Sequence, residues 1–407
     1  MQHPLAGPLT GVRVVELSST VAGPVCGRLF ADFGADVIKI ESADGDAGRN
    51  FGDEIDGIGL YGLSMQRNKR AIVLDLKADE GRQLALQLLD KADILVENFR
   101  PGVLERLGLG QAVLAARNPG LVMVRISGYG QDGPYKERPG YGAICEAVAG
   151  VRHMTGDPDR PPARCALPTT DYLTALYAAF GAMAALHERT RSGKGQVVDV
   201  ALAECAFTQM EGFVAAYEKT GVVPMRQGPR LMNTAPNSIY PSKDGHWILI
   251  AANNDVIFRR LADCMDQAWL GQDTRYATQR ARGERVDEVD AFITSWTLQY
   301  TAADILQRLG SADVPCARAN TIADIFADPH FAQRDMLLQL PHPVLGSVTL
   351  PGVVPKFSRT PGRVIRTGPE IGQDTVDVLT GELSLTPAQA QALQQRGVIA
   401  QRPGRDG

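Results

Sequence analysis

An aspartate at the start of an apolar helix is the strongest candidate for chemistry in this sequence. Asp171 follows Thr169 and Thr170 and precedes the run Leu173–His187, which is apolar on nearly all sides. A carboxylate in the first turn of a helix is stabilised by free backbone N–H groups and by the helix dipole. The residues allow two interpretations: a nucleophile at the edge of a dry pocket, or a helix cap. The run itself predicts a helix with protein on every side.

Basic side chains form a second candidate group. Arg67, Lys69 and Arg70 lie together before an apolar strand, and Arg100 and Arg106 follow a later strand. Charges in such runs most often form a solvated face. Arginine and lysine on loops near helix starts also suit a phosphorylated ligand. The residues alone leave both interpretations open.

Composition argues against several classes of function. The chain has 407 residues and a formal net charge of −4, which argues against binding nucleic acid. Its six cysteines show no C-x-x-C spacing and its six histidines show no H-E-x-x-H pattern, so neither a metal site nor a disulfide framework is predicted. The sequence has no signal-peptide pattern and no apolar run long enough to span a membrane. We therefore expect a cytoplasmic protein without membrane or nucleic-acid partners.

The elements around these residues predict an α/β fold. Apolar strands alternate with helices, which favours a parallel, doubly wound, Rossmann-like sheet. The strands are expected at Val12–Leu17, Asp36–Glu41, Ala71–Leu76, Ala92–Glu97 and Leu121–Ser127. Ligands of such sheets bind beyond the carboxyl ends of the strands, so residues 18–23, 98–102 and 128–134 should share one rim. The first turn lacks G-x-G-x-x-G, which argues against a nicotinamide dehydrogenase.

The chain length predicts more than one domain, since it exceeds the usual size of a single core. Residues 221–238 have no periodicity and contain several Pro and Gly, which is typical of a linker. We expect a large domain that begins with residues 1–220, then this linker, and a small α+β domain at residues 239–330. A return segment, residues 331–407, is expected to complete the large domain.

Motifs in a fixed order extend along nearly the whole chain: residues 12–41, 67–70, 96–102 and 127–134, Pro139-Gly140-Tyr141, Asp171 before its apolar helix, and residues 190–200 and 355–360. Together they resemble the class III CoA-transferases, the family of formyl-CoA, carnitine and succinyl-CoA transferases and of 2-methylacyl-CoA racemases. The resemblance implies a CoA-transferase that forms an interlocked homodimer. It also implies acyl-CoA and a carboxylic acid as substrates, with no tightly bound cofactor and no metal.

The resemblance assigns catalysis to Asp171. It implies that the carboxylate attacks an acyl-CoA thioester to give a mixed anhydride, which the returning thiolate converts into an aspartyl-CoA thioester. Transfer of CoA to the acceptor acid follows. An anhydride retains the reactivity of the thioester, and a closed, dry pocket would protect it from hydrolysis.

The same resemblance assigns binding residues. Tyr141 is implied to line the acyl pocket, although an isolated tyrosine is most often a core residue. Val21 and Ala22 match backbone contacts to the pantetheine arm of CoA. The other residues implied to contact CoA or its phosphates are Asn98, Phe99, Arg106, Arg67, Lys69 and Arg70.

Departures from the family pattern narrow the substrate. Val21 stands where the oxalate-using branch has glutamine, and residues 226–238 contain only Gly228 where that branch has a run of glycines. Whole-chain similarity favours the branch that uses succinyl-CoA and dicarboxylates. Four arginines are candidates for binding a second carboxylate by bidentate pairing: Arg49, Arg138, Arg226 and Arg230.

Two alternatives stay open. A 2-methylacyl-CoA racemase would share the fold, but it needs a pair of acid/base groups next to the substrate carbonyl. That branch carries a histidine near Tyr141, whereas this chain has none between His3 and His153. The second alternative is an acyl-CoA-binding protein without turnover.

Overall fold

The structure is a computed structural model that describes residues 7–232 and 234–401. The chain forms two compact units. The first contains the residues up to Val151, Cys165–Val214 and the residues from His330 onward. The second contains Arg152–Arg164 and Ala215–Pro329. The domain boundaries given above stay a prediction.

The strands of the described residues are short and form one large sheet and three small ones. In chain order they are β1 (Arg13–Leu17), β2 (Asp36–Glu41), β3 (Glu54–Ile55), β4 (Ile58–Gly59), β5 (Arg70–Leu74), β6 (Ile94–Glu97), β7 (Val122–Ser127), β8 (Val197–Ala201), β9 (Asn237–Pro241), β10 (Trp247–Ala251), β11 (Cys316–Arg318), β12 (Leu337–His342), β13 (Gly346–Pro351) and β14 (Ile399–Ala400).

The helices alternate with these strands along much of the chain. They are α1 (Ala22–Asp32), α2 (Leu60–Met65), α3 (Asp79–Leu89), α4 (Val103–Arg106), α5 (Gln111–Arg117), α6 (Gly142–Val148), α7 (Thr169–Ser192), α8 (Leu202–Phe207), α9 (Glu211–Thr220), α10 (Asp255–Cys264), α11 (Gln279–Gly283), α12 (Val286–Thr297), α13 (Ala302–Ser311), α14 (Ile322–Ala327), α15 (Pro329–Gln333), α16 (Thr375–Leu383) and α17 (Pro387–Gln395).

The large sheet confirms the predicted α/β class. Its strand order is β14-β5-β2-β1-β6-β7-β8, and the strands are parallel except for the edge strand β14. The chain builds outward from β1 in both directions, so the strand order reverses between β1 and β6. In doubly wound sheets this switch point is where ligands bind, beyond the carboxyl ends of the two strands.

Apolar side chains cover both faces of the large sheet. Val14 belongs to a core cluster with residues of α1 and α7, whereas its neighbour Val15 belongs to a second cluster with residues of α3, α16 and α17. Successive strand side chains point to opposite faces, so the two clusters lie on opposite sides of the sheet. Burial on both faces explains why these strands read as continuous apolar runs.

Helix α7 packs on one side only. Ala175, Ala178 and Ala182 are buried in the core cluster against α1 and the sheet. The opposite face is exposed: Phe180 is 74% exposed and Leu176 is 56% exposed. The prediction that protein encloses this helix on every side is therefore wrong for the single chain, because small residues fill the sheet side and nothing in the described chain covers the large apolar ones.

The second unit has its own core. Strands β9, β10 and β11 form an antiparallel sheet in the order β11-β10-β9. Its buried cluster includes Tyr240, Phe258, Ile293 and Trp296. Helix α13 begins after Thr301, a favoured N-cap residue, whose side chain accepts a hydrogen bond from the Asp304 backbone N–H.

Candidate active site

A cavity of about 160 Å³ lies at the switch point of the large sheet. Its walls come from the segments after β1, after β6 and at the end of β7, together with the start of α7. The structure therefore brings together the three strand-end segments that were predicted to share one rim. The lining residues are Ser19, Thr20, Ala22, Asn98, Phe99, Arg100, Pro101, Ile126, Ser127, Gly128, Lys136, Arg138, Pro139, Gly140, Tyr141, Asp171 and Leu202.

Asp171 lines this cavity from the first turn of α7. The helix begins at Thr169, and Pro168 holds the N-cap position without a side-chain capping bond. Asp171 is therefore not the N-cap residue itself, but it lies in the first turn of the helix, so its role stays a prediction. Its carboxylate fits closely against Gly142: a Cβ added there would lie 2.1 Å from Asp171 Oδ2.

Tyr141 lies next to this contact. It is the N-cap residue of α6 in extended backbone conformation, and its side chain is 68% exposed. It is therefore not a core residue, and it shares the cavity with Asp171.

The buried thiol of Cys145 lies behind the same wall. Its Sγ donates a hydrogen bond to the Gly128 carbonyl at 3.3 Å. Burial raises the pKa of Cys145 to about 12, and the negative charges of Asp171 and Glu146 contribute to the increase. The thiol is therefore neutral near pH 7 and does not compete as a nucleophile.

The loop after β1 is held from both sides. The Ser19 backbone N–H donates to Asn98 Oδ1 at 2.8 Å, and Asn98 Nδ2 donates to the Ser19 carbonyl at 2.7 Å. The Thr20 N–H donates to Asp46 Oδ1 at 2.7 Å. Thr20 has a φ of 67°, a left-handed conformation that is strained for a β-branched residue and persists only where its surroundings impose it.

A buried charge network lies beneath this loop. Lys39 Nζ contacts Glu16 Oε1 at 2.8 Å and Asp46 Oδ2 at 2.9 Å, and it donates to the Ser18 carbonyl at 2.7 Å. Lys69 Nζ pairs with Glu16 Oε2 at 2.8 Å. Burial would lower the pKa of Lys39, but Glu16 and Asp46 raise it above its ordinary value, so Lys39 stays charged.

The basic segment predicted to meet CoA phosphates faces the protein instead. Arg67 Nη2 pairs with Asp32 Oδ2 at 2.6 Å, and Lys69 is fully buried. Burial lowers the pKa of Lys69 to about 8 despite the opposing effect of Glu16. Arg70 Nη2 pairs with Asp36 Oδ2 at 2.5 Å. None of these cations lines the cavity, because each is paired with a carboxylate of the fold.

The four arginines that are candidates for binding a second carboxylate also differ in whether they bond to the protein or line the cavity. Arg49 makes a bidentate pair with Glu41 at 2.8 and 2.7 Å. Arg226 donates to backbone carbonyls and Arg230 pairs with Asp287 and Asp290, all within the second unit. Arg138 alone among the four lines the cavity with Asp171.

The predicted CoA-contacting residues fall into two groups. Ala22, Asn98 and Phe99 line the cavity, whereas Val21 is buried in the core cluster and Arg106 is exposed at the end of α4 without lining the cavity. The Phe99 N–H donates to Glu97 Oε2 at 2.8 Å. That bond fixes the backbone at the carboxyl end of β6.

A second cavity of about 660 Å³ adjoins the first. It lies beyond the ends of β1, β2 and β5 and includes Lys77. Ser19 and Phe99 line both cavities. Sequence reasoning missed Lys77 and also Lys136. The only signal for Lys136 is its position between Gly133-Pro134 and Pro139-Gly140, and the second of these turns lines the cavity.

Comparisons with known proteins identify the family. The model of CoA-transferase family III matches residues 9–375. The chain belongs to this family. It is 45% identical to a succinyl-CoA--D-citramalate CoA-transferase of Chloroflexus aurantiacus, over 96% of this chain and 98% of the relative. It is 35% identical to a succinate--glutarate CoA-transferase of Agrobacterium fabrum, over 93% and 98%.

Solved structures agree with this assignment. A CAIB/BAIF family protein from Brucella suis superposes with a TM-score of 0.82 at 34% identity, covering 93% of this chain and 100% of that protein. The family III member described here is thus an enzyme that transfers CoA between an acyl-CoA and an acid. Among the described residues, no cluster of His, Cys, Asp and Glu is arranged to hold a metal ion, and no helix has the length and apolarity needed to cross a membrane.

Proposed function

We propose that this CoA-transferase moves CoA from succinyl-CoA to a short dicarboxylic acid, such as glutarate or malate, with Asp171 as the covalent nucleophile. The observation that carries the proposal is the Asp171 carboxylate in the switch-point cavity beside Tyr141. Relatives with 35–45% identity over most of the chain carry names of succinyl-CoA- or succinate-dependent CoA-transferases, which supports the choice of donor.

The proposed reaction has four steps, which begin and end with the free Asp171 carboxylate. Asp171 attacks the thioester carbonyl, the C–S bond breaks, and CoA leaves as a thiolate. The thiolate then attacks the aspartyl carbonyl of the anhydride and releases the donor acid. The acceptor carboxylate attacks the aspartyl-CoA thioester and expels the thiolate again. Attack of that thiolate on the acceptor's acyl carbonyl forms the new acyl-CoA and restores Asp171.

The two adjoining cavities support an elongated substrate. The acyl end would occupy the cavity of Asp171, and the rest of CoA would pass Ser19 and Phe99 into the larger cavity that contains Lys77. In this arrangement Asn98 acts through the Ser19 backbone. CoA is a substrate here, and we propose no tightly bound cofactor.

The lining of the Asp171 cavity does not favour the racemase alternative. Within the described residues the lining contains no histidine, and Asp171 is its only carboxylate. Removal and return of a proton next to a carbonyl needs two titratable groups on opposite faces of that carbon. Covalent CoA transfer needs one carboxylate, which the cavity supplies.

We further propose that the enzyme is an interlocked homodimer, as the family resemblance implies. The exposed face of α7 supports a second copy of the chain, because Leu176, Tyr177, Phe180 and Met183 form an apolar stripe at helical spacing. Exposed apolar patches of this kind mark association surfaces. The cytoplasmic location expected from the sequence stays a prediction.

Replacement of the nucleophile tests the mechanism. Asp171→Asn keeps the shape of the side chain and should abolish transfer from succinyl-CoA, with thermal stability and CoA affinity close to wild type. A matched control is Asp79→Asn, since Asp79 also lies in the first turn of a helix. Asp79→Asn also removes an exposed ion pair with Arg82. Each variant should lose a few tenths to about 1 kcal/mol of stability, but only the first should lose turnover.

Covalent capture supplies the second measurement. Hydroxylamine added with succinyl-CoA should modify the peptide that contains Asp171, as read by mass spectrometry, and should inactivate the enzyme. Full turnover by Asp171→Asn, or an unmodified Asp171 in an enzyme inactivated under these conditions, would contradict the proposed mechanism.

A further inference from the structure

Cations outnumber carboxylates in the cavity of Asp171. Arg100, Lys136 and Arg138 line it, and Asp171 is the only acidic residue of its described lining. A cavity with this charge balance favours an anionic ligand. Asp171 can balance one of these three positive charges, which leaves two for a bound anion.

Lys136 and Arg138 differ from most of the cations that the sequence analysis named as candidates. Arg49, Arg67 and Arg70 are paired with Glu41, Asp32 and Asp36. In the described part of the chain, the side chains of Lys136 and Arg138 have no ion pair with a carboxylate. Their charges are therefore available to a ligand without breaking a contact of the fold.

The Arg138 guanidinium is already oriented. It lies over the ring of Tyr135, with its central carbon 3.6 Å from the ring centroid. Stacking uses the face of the guanidinium and leaves its in-plane N–H groups for a carboxylate, which arginine binds in a bidentate manner. An oriented arginine loses less conformational freedom on binding than a mobile one.

The two cavities indicate which part of the substrate these cations meet. Ser19 and Phe99 line both cavities, so a CoA chain that spans them passes these residues. Arg100 lines only the Asp171 cavity, but it directly follows Phe99 in the chain and so lies where the two cavities join. Lys136 and Arg138 line the Asp171 cavity and are absent from the lining of the second one. They therefore belong to the acyl end of the substrate.

We propose that Arg138, supported by Lys136, binds the distal carboxylate of the dicarboxylic acyl group and so determines the enzyme's preference for dicarboxylates. This inference rests on the proposed function, since it assumes that acyl groups react at Asp171. Arg138 is preferred over the other candidates, Arg49, Arg226 and Arg230, because their guanidinium groups already bond to other groups of the protein.

The test compares two donors that differ only in the distal carboxylate. The kcat/KM for succinyl-CoA and for butyryl-CoA is measured with one acceptor acid, for wild type and for Arg138→Met. The ratio of the two values should fall by about 10- to 100-fold in the variant, the effect expected when a charged hydrogen bond is lost. Where butyryl-CoA is not turned over, its inhibition constant against succinyl-CoA replaces its kcat/KM.

Further variants separate specificity from general damage. Lys136→Met should lower the same ratio by a smaller factor, because an ammonium binds as a point charge. Arg191→Met, at an exposed position near the other end of α7, should leave the ratio at the wild-type value. Circular dichroism of each variant reports folding, and the exposed position of Arg138 favours an intact fold.

The outcomes distinguish this inference from the proposed function. An equal fall in kcat/KM for both donors would place Arg138 on the part of CoA that they share, and unchanged kcat/KM values for both donors would make it a surface residue; either result overturns the inference. A wild-type enzyme that transfers CoA but does not prefer succinyl-CoA overturns it as well. A wild-type enzyme that transfers CoA from neither donor would instead contradict the proposed function.

Discussion

At the scale of single residues, the fit between Gly142 and Asp171 defines the proposed active site. The Asp171 carboxylate occupies the space next to the Gly142 Cα, where any other residue would place its side chain. A Cβ at Gly142 would lie 2.1 Å from Asp171 Oδ2. Gly142 is the first residue of α6, directly after Tyr141. The backbone of one helix start therefore sets the position of a carboxylate on another.

We predict that Gly142→Ala reduces kcat by about 100-fold, because a shift of the reacting group by about 1 Å has that effect on a positioned nucleophile. The fold should survive, since the carboxylate lies at the cavity wall. Gly212→Ala is the matched control: Gly212 also lies in a helix, and an added Cβ there meets nothing within 4 Å. Steady-state kinetics and thermal melts of both variants check the prediction, and equal kcat values would contradict it.

Single residues also show where sequence reasoning succeeds and where it stops. Asp171 and Tyr141 were predictable because they lie in motifs with a fixed order along the chain, and the structure brings both to one cavity. The cations were not predictable. Lys69 and Lys136 are equally basic in sequence, yet one is buried against Glu16 and the other lines the cavity, since only tertiary contacts decide which charge is already paired.

At the scale of elements, the loop after β1 is shaped by the charge network beneath it. Asp46 accepts hydrogen bonds from the N–H groups of Thr20 and Gly48 and pairs with Lys39. The position of the strand ends at one rim could be predicted from the alternation of strands and helices in the sequence. The charge network could not be predicted, because Glu16, Lys39 and Asp46 come from three separate segments that meet only in the folded chain.

This network makes a prediction about pH. Burial on its own would raise the pKa of Asp46, but Lys39 and the N–H groups of Gly48 and Thr20 more than offset it, so the pKa lies below the ordinary 3.8. A depressed carboxylate pKa contributes stability that is fully present above pH 3.8 and is lost as pH falls through the folded-state value.

Asp46→Asn removes the charge but retains the side-chain oxygen that Thr20 uses. We expect its free energy of unfolding at pH 7 to be lower than wild type by roughly 3 kcal/mol, the cost of breaking a buried ion pair. The difference should stay constant down to about pH 5 and narrow below pH 3.8. Urea unfolding from pH 7 to pH 3 measures it. Asp44→Asn, at an exposed position in the same loop, is the control, and a difference that widens towards acid pH would refute the assignment.

At the scale of the whole molecule, the described residues leave an apolar face of one helix exposed. The stripe on α7 lies on the helix that begins with Thr169 and carries Asp171 two residues later. The apolar sequence of this helix predicted that all its faces are buried. In the described chain only one face is buried, and no described segment covers the large apolar side chains of the other face. In the proposed homodimer, a second copy would cover this face and stabilise the helix that carries the proposed nucleophile.

An interlocked homodimer makes a prediction that an ordinary dimer does not. Subunits linked like rings separate only when one of them opens, so exchange between dimers requires unfolding. Tagged and untagged enzyme, mixed under native conditions and followed by native mass spectrometry, should form no mixed dimers over days. Mixed dimers should appear after joint unfolding in urea and refolding.

Phe180→Glu connects this behaviour to the exposed face of α7. A charge in the centre of the stripe should reduce the yield of dimer on refolding, because an ionised carboxylate is strongly disfavoured in an apolar interface. Val113→Glu, at another exposed apolar position on α5, should refold to dimer like wild type. Sedimentation velocity measures both yields. Exchange of native subunits within minutes would exclude the interlocked arrangement, and a monomeric wild type would exclude the dimer itself.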